Sequence, residues 1–179
     1  RYPENPVVTP EDVKPSVDGW EVMCAFNAGA IEHNGEILLL MRVAERPTSD
    51  DPGAVLVPTM DCSSGKPTLR VHRFSPNDEG IDLRDPRTVM LRGQLLLTSL
   101  SHLRIARSRD GRHFTVDPEP ALYPDQWFEE YGLEDPRITR IGDTYYVVYK
   151  GVSGKAIVQC RASTRDFVNW EKHGIMFPP

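Results

Sequence analysis

Tyr131-Gly132-Leu133-Glu134-Asp135-Pro136-Arg137-Ile138-Thr139-Arg140 carries two adjacent carboxylates, a proline and an arginine straight into an alternating segment. The alternation turns at Gly142-Asp143 and resumes as Thr144-Tyr145-Tyr146-Val147-Val148-Tyr149, which reads as a loop feeding a β-hairpin. Pro136 fixes its own φ, offers no N–H and biases Asp135 toward an extended backbone, so the Asp135 side chain is expected to leave the mouth of a strand in a defined direction. A carboxylate so placed can donate a proton. The same residues also read as an Asp135–Arg137 pair at a strand start, where proline is common. On an extended backbone, neighbours leave toward opposite sides, and Glu134 and Asp135 are expected to do so.

Working outward, Ile81-Asp82-Leu83-Arg84-Asp85-Pro86-Arg87-Thr88-Val89 presents a second Asp-Pro-Arg, 50 positions before the first. Its hairpin turns at Arg92-Gly93 and returns through Gln94 to Ser99. Earlier still, residues 20–26 read as a strand and residues 28–43 as a hairpin turning at Asn34-Gly35, the strongest short hairpin signal. The arm after that turn, residues 36–43, is almost continuously apolar, as in a strand buried on both faces. Residues 54–59 and 69–74 read as outer strands. After the two later hairpins, Ala106-Arg107-Ser108-Arg109-Asp110-Gly111-Arg112-His113-Phe114 resembles Ala162-Ser163-Thr164-Arg165-Asp166-Phe167-Val168-Asn169-Trp170. Hairpin turns recurring at about 50 to 60 residues, with no helical periodicity, predict an all-β chain built as propeller blades of four short strands.

At that period the chain supplies about three blades, and three blades do not close. The expectation is therefore that residues 1–179 are the N-terminal part of a single β-propeller domain, with residues 1–20 as an extended first segment and the remainder absent from this chain. A net charge of −5 and a pI near 5.5 argue against a nucleic-acid partner, which calls for a basic face, and against an anionic membrane. No apolar run approaches the roughly 20 residues of a membrane span, and the polar, Pro-rich start beginning at Arg1 does not read as a secretory leader. Three widely spaced cysteines, Cys24, Cys62 and Cys160, form no C-x-x-C pair and argue against a zinc site or a disulfide framework; Cys24 and Cys160 read as buried reduced thiols, which suggests a cytoplasmic setting. No metal-ligand spacing and no phosphate-binding glycine loop is found.

Gly132-Leu133-Glu134-Asp135-Pro136-Arg137-Ile138-Thr139 and its Gly-Asp-Thr-Tyr-Tyr hairpin, with Ser163-Thr164-Arg165-Asp166-Phe167 and His173-Gly174-Ile175-Met176-Phe177-Pro178-Pro179, resemble the central part of glycoside hydrolase family 130. The resemblance runs from Asn5-Pro6 through Asn27-Ala28-Gly29-Ala30 to the last residue. It implies a five-bladed β-propeller acting on β-mannosides by inverting phosphorolysis to mannose 1-phosphate. Asp135 would be the general acid, and Asn27 and Arg42 would hold the mannosyl unit. Glu134, Arg137 and Asp85 are further candidates for substrate binding, Asp85 also being the rival for the acid because it sits in the same motif one repeat earlier.

A general acid working near neutral pH needs a raised pKa, which Glu134 could supply as a neighbouring negative charge. Arg137 would oppose that, so its guanidinium is expected on Glu134 or on a ligand. His102 and Arg104 share a strand face and could line the same cavity. Tyr123, Trp127, Phe128 and Tyr131 suit stacking on a sugar, or packing their own loop, equally well. No cofactor is implied; inorganic phosphate would be the co-substrate beside a β-mannoside oligosaccharide, its binding residues lying beyond residue 179, and a homo-oligomer is compatible with all of this. The competing readings are a β-mannosidase, with a second carboxylate about 6.5–9.5 Å from the first to activate water, and a non-catalytic sugar-binding propeller.

Overall fold

The computed structural model describes residues 2–177; Arg1 and the closing Pro178 and Pro179 of the last motif lie outside the described residues. Thirteen strands follow one another: β1 Trp20–His33, β2 Glu36–Pro47, β3 Val55–Asp61, β4 Thr68–Phe74, β5 Ile81–Asp82, β6 Thr88–Leu91, β7 Gln94–Leu97, β8 Leu100–Ser108, β9 Thr115–Val116, β10 Gly132–Ile141, β11 Thr144–Val152, β12 Ile157–Thr164 and β13 Trp170–Ile175. Two three-residue 3-10 turns, Pro10–Asp12 and Trp127–Glu129, are the helical elements. The described residues are all-β and do not close into a barrel.

Turn chemistry sets the hairpins. Asn34 and Gly35 both have positive φ, 53° and 79°, the left-handed pair whose twist matches that of the flanking strands. Arg92 and Gly93 do the same at 50° and 85° between β6 and β7. The separate first strand and following hairpin expected over residues 20–43 are one long hairpin, because β1 runs unbroken through Phe26 to His33 and absorbs its irregularities as bulges.

The largest sheet has the order β1-β2-β8-β10-β11-β12-β13, with β9 on β8. It is two antiparallel four-stranded units joined by one parallel bridge, Gly132 to Ser101. The first unit, β1, β2, β8 and β9, is interrupted in sequence by β3 to β7, which form a two-stranded and a three-stranded sheet of their own. The described residues thus form two four-stranded units and two smaller sheets. The second Asp-Pro-Arg leads into the small β5-β6-β7 sheet.

Apolar alternation places the cores. Leu38 and Leu40 of β2 pack with Leu103, Ile105, Leu133, Val147, Tyr149 and Cys160, whereas Met41 and Val43 face the other way, under Val8 and Val13 of the N-terminal segment. The near-continuous apolar run of β2 is buried on both faces, as its composition predicts. The paired motifs after the hairpins are structurally equivalent in a sharper register than their serines suggest. Ser108 and Thr164 each accept backbone N–H groups through a side-chain hydroxyl, and Asp110 and Asp166 each cap the next two.

Candidate active site

Two bulges build the site. Between Phe26 and Gly29 the β1–β2 register slips so that Asn27 and Ala28 lie opposite Met41; between Glu134 and Arg137 the β10–β11 register slips so that Asp135 and Pro136 lie opposite Tyr149. The first residue of each bulge is left-handed, Asn27 at φ 51° and Asp135 at φ 51°. Asn and Asp tolerate this region better than other side chains, and bulges re-aim side chains at functional places. The extended backbone expected at Asp135 is therefore not found. The bulge overrides the bias that Pro136 imposes.

The two bulges face each other. Asn27 Nδ2 donates to Asp135 Oδ1 at 2.8 Å, a contact across 108 residues. Such an approach requires Gly29, since a Cβ there would meet Ile138 Cγ1 and the Pro136 carbonyl oxygen at 3.0 Å. Gly132, at φ 114°, is tighter still: a Cβ would lie 2.0 Å from the Ser101 carbonyl oxygen. That glycine lets β10 abut β8 and brings the start of the motif to Ser101.

Around this pair the charges are partitioned. Arg42 Nη2 lies 2.5 Å from Glu134 Oε1; its Nε donates to Ser101 Oγ at 3.1 Å, and its guanidinium sits 4.9 Å from the Phe26 ring centre. Lys150 Nζ donates to Asp135 Oδ2 at 2.8 Å. Glu134 and Asp135 consequently face one shared group of cations, not opposite sides, because the left-handed turn at Asp135 breaks the alternation.

Their titrations split the opposite way from the sequence expectation. The Lys150 hydrogen bond, ahead of the Asn27 amide and the Arg42 charge, holds Asp135 below the usual carboxylate range against partial burial. Burial pushes Glu134 up, with the Asp135 charge adding to it and Arg42 opposing. Arg137 does not reach Glu134: its Nη1 donates to the Pro136 carbonyl at 2.9 Å and to that of Asn27 at 3.5 Å. Arg42 has taken that place.

The remaining candidates lie elsewhere. Asp85 grips its own Arg87 as a fork, Oδ1 to Nε at 3.0 Å and Oδ2 to Nη2 at 2.7 Å, and that contact draws its pKa down to about 2. Thus Asn27, Arg42, Glu134, Asp135 and Arg137 are brought together, while the side-chain partner of Asp85 is its own Arg87. His102 and Arg104 are buried on the opposite face of β8 from Ser101, His102 Nε2 against Glu45 Oε1 at 2.8 Å and Arg104 Nη1 donating to the Lys14 carbonyl at 2.5 Å, so they fasten the N-terminal segment. Of the loop aromatics, Phe128 and Tyr131 are core residues and Tyr123 packs on His102, leaving Trp127 exposed. Cys24, expected buried, is exposed on β1, while Cys160 is buried. No set of three or more His, Cys, Asp or Glu suited to a metal occurs among the described residues, and none of their helices is long and apolar enough to cross a membrane.

Lys150 is the residue sequence reasoning missed. Counted back from the Gly142-Asp143 turn, Ile141 pairs with Thr144, an unslipped count sets residue 150 opposite residue 135, and the bulge moves Lys150 by one onto Glu134, next to Asp135. The signal was in the hairpin.

Comparison with known proteins bears on this geometry. A family model described as beta-1,4-mannooligosaccharide phosphorylase matches residues 81–179. A beta-1,2-mannobiose phosphorylase of Listeria innocua serovar 6a is 47% identical over the whole of this chain, which spans 51% of that relative. A beta-1,2-mannobiose phosphorylase of Thermoanaerobacter sp. strain X514 is 35% identical over 80 residues, 43% of this chain and 26% of its own. Among solved structures, the Listeria innocua beta-1,2-mannobiose phosphorylase in complex with beta-1,2-mannobiose superposes with a TM-score of 0.92 at 48% identity, covering 100% of this chain and 51% of that one. A Bacteroides ovatus glycosyl hydrolase at 23% identity and TM-score 0.64, over 99% of this chain and 40% of that one, shares the fold. The chain spans about half the length of the Listeria relative it matches throughout.

Proposed function

Because the chain belongs to glycoside hydrolase family 130, we propose that it carries the general acid and the mannosyl-holding residues of an inverting β-mannoside phosphorylase, with β-1,2-mannobiose as substrate. The two four-stranded units are then neighbouring blades of a five-bladed propeller, and the facing bulges lie where the sugar binds. Asn27 and Arg42 hold the mannosyl unit, with Glu134 fixing the Arg42 guanidinium. Because Lys150 holds the free Asp135 carboxyl below the usual range, that carboxyl must first take up a proton; it then gives that proton to the glycosidic oxygen, directly or through a sugar hydroxyl, as the bond from that oxygen to C1 breaks. An oxygen of inorganic phosphate forms the new bond to C1 from the opposite face, yielding mannose 1-phosphate with inverted configuration and a free sugar. One protein carboxyl suffices, since phosphate is the nucleophile, and no cofactor takes part.

The observation that carries this reading is the Asn27–Asp135 contact at 2.8 Å between two left-handed bulges, in a chain 47% identical throughout to a beta-1,2-mannobiose phosphorylase. The test is to incubate the full-length protein with β-1,2-mannobiose, with and without inorganic phosphate. Mannose 1-phosphate formed only when phosphate is present is the expected result. Free mannose released equally in both would replace phosphorolysis with hydrolysis, and no turnover in either would leave a sugar-binding scaffold.

A further inference from the structure

The two hairpins that form the site are copies in a common register. Asn34-Gly35 and Gly142-Asp143 are their turns, Asn27 and Asp135 their left-handed bulge residues, and in each pair the second member lies 108 positions after the first. The strand after each turn carries a cation at that same spacing, Arg42 on β2 and Lys150 on β11. Each cation pairs across the ladder with the residue just before the bulge, Arg42 with Phe26 and Lys150 with Glu134. Lys150 therefore stands to Asp135 as Arg42 stands to Asn27.

We propose that Lys150 is a positioning residue for the reaction, its ammonium and the Asn27 amide clamping the two oxygens of Asp135 so that the carboxyl is presented to the sugar in one orientation. This rests on the reading of Asp135 as the general acid. Lys150 Nζ and Asn27 Nδ2 are both at 2.8 Å, one on each oxygen. They come from strands on either side of β10, so the carboxyl plane is pinned from two directions. Each carboxyl oxygen has a second lone pair, and the clamp leaves those for the proton and the substrate.

The surroundings admit no other anchor. The Asn27 amide faces Asp135 from β1, the Arg42 guanidinium from β2, the Glu134 carboxyl from β10 itself and the Lys150 ammonium from β11. Arg42 is already held by Glu134 and Ser101, and Arg137 is turned to backbone carbonyls. The clamp has a second effect. A cation on the carboxylate favours its ionised form, so Lys150 aligns the acid while lowering the pH up to which it stays protonated.

The test uses three variants of the full-length protein, Lys150→Met, Lys150→Arg and Asp135→Asn, assayed with β-1,2-mannobiose and inorganic phosphate across pH. Lys150→Met is expected to lower kcat at the optimum by about tenfold through loss of alignment, and to move the alkaline limb of the profile upward by about one pH unit as the cation is lost. The KM for phosphate should stay within about twofold, because uniform binding is untouched, and Lys150→Arg should recover both kcat and the limb. An unmoved limb in Lys150→Met overturns the proposal, whether kcat is unchanged or the phosphate KM rises; the latter would make Lys150 a phosphate ligand. Asp135→Asn separates the two readings: if it turns over normally the general acid is misassigned, whereas if it is inactive and Lys150→Met keeps the wild-type profile, the clamp alone is wrong.

Discussion

At the scale of single residues, the site depends on two side chains that tolerate a left-handed backbone. Asn27 separates the backbone requirement from the hydrogen bond. Asn27→Gly keeps the bulge conformation at no steric cost and deletes the amide, so kcat should fall while the melting temperature stays close to wild type. Asn27→Ala loses the same amide and adds backbone strain of roughly 1–2 kcal/mol, which should appear as a lower melting temperature on top of the same kinetic loss. Equal melting temperatures for the two would mean that the bulge does not demand φ 51°. For Asp135→Asn the size is kept and the proton lost, and kcat should drop by about 10²- to 10⁴-fold with little change in KM. Asp85→Asn, by contrast, removes one charge of a local Asp85–Arg87 fork, and its kcat/KM should stay within about twofold, the spread of a surface change.

At the scale of strands and turns, glycine packing and paired caps decide what is tolerated. Gly132→Ala would drive a Cβ to within 2.0 Å of the Ser101 carbonyl at φ 114°. Overpacking and backbone strain together should destabilise by at least about 3 kcal/mol, read by chemical denaturation. The Asp110 and Asp166 turns give a pH dependence whose sign is fixed. The backbone N–H of His113 on Asp110, and the Asn169 amide on Asp166, with further backbone N–H groups on each, hold both carboxyls below the usual range. A carboxyl depressed on folding stabilises above its unfolded pKa of about 3.9 and loses that contribution as pH falls below it. The melting temperature should therefore fall between about pH 5 and pH 2, and less steeply in Asp166→Ala, which should also melt lower than wild type at pH 7.

These elements also show what the sequence exposed and what it hid. The turns at Asn34-Gly35, Arg92-Gly93 and Gly142-Asp143 and the two-faced burial of β2 were legible, because turn φ and apolar runs are local properties. Equivalence was not. The shared letters of Asp85-Pro86-Arg87 and Asp135-Pro136-Arg137 suggested a repeat, yet Asp85 makes a turn that its own Arg87 closes while Asp135 sits in a bulge inside a long strand. The true counterpart of Asp135 is Asn27, with a different side chain and the same distance to its turn. A bulge is a two-against-one register, visible only when both strands are counted from the turn, and the same count would have found Lys150. His102 and Arg104 were assigned to one face correctly, but that face lies under residues 13–16, whose packing no strand pattern announces.

At the scale of the whole molecule, the same sheet that builds the site leaves edges and apolar surface uncovered. Among the described residues β13 pairs with β12 alone, and β4 with β3 alone. The exposed large apolar side chains include Ile141, Ile157, Val168 and Phe177, each more than 60% accessible, and Ile141 borders a groove with Tyr146, Arg161, Trp170 and Met176. An unpaired strand edge beside apolar surface is a template for pairing with another chain. A net charge of −5 on 179 residues opposes association only weakly once salt shortens the range of repulsion to about 8 Å at physiological ionic strength. Expressed as residues 1–179 alone, the protein should therefore self-associate, with a mass by light scattering that rises with concentration and with added salt. Glu or Lys placed at Ile141 and Val168 should shift that equilibrium toward monomer, because a charge in an exposed apolar patch penalises its burial against another chain. A single monomeric mass at every concentration, unchanged by those substitutions, would show that this surface needs no cover.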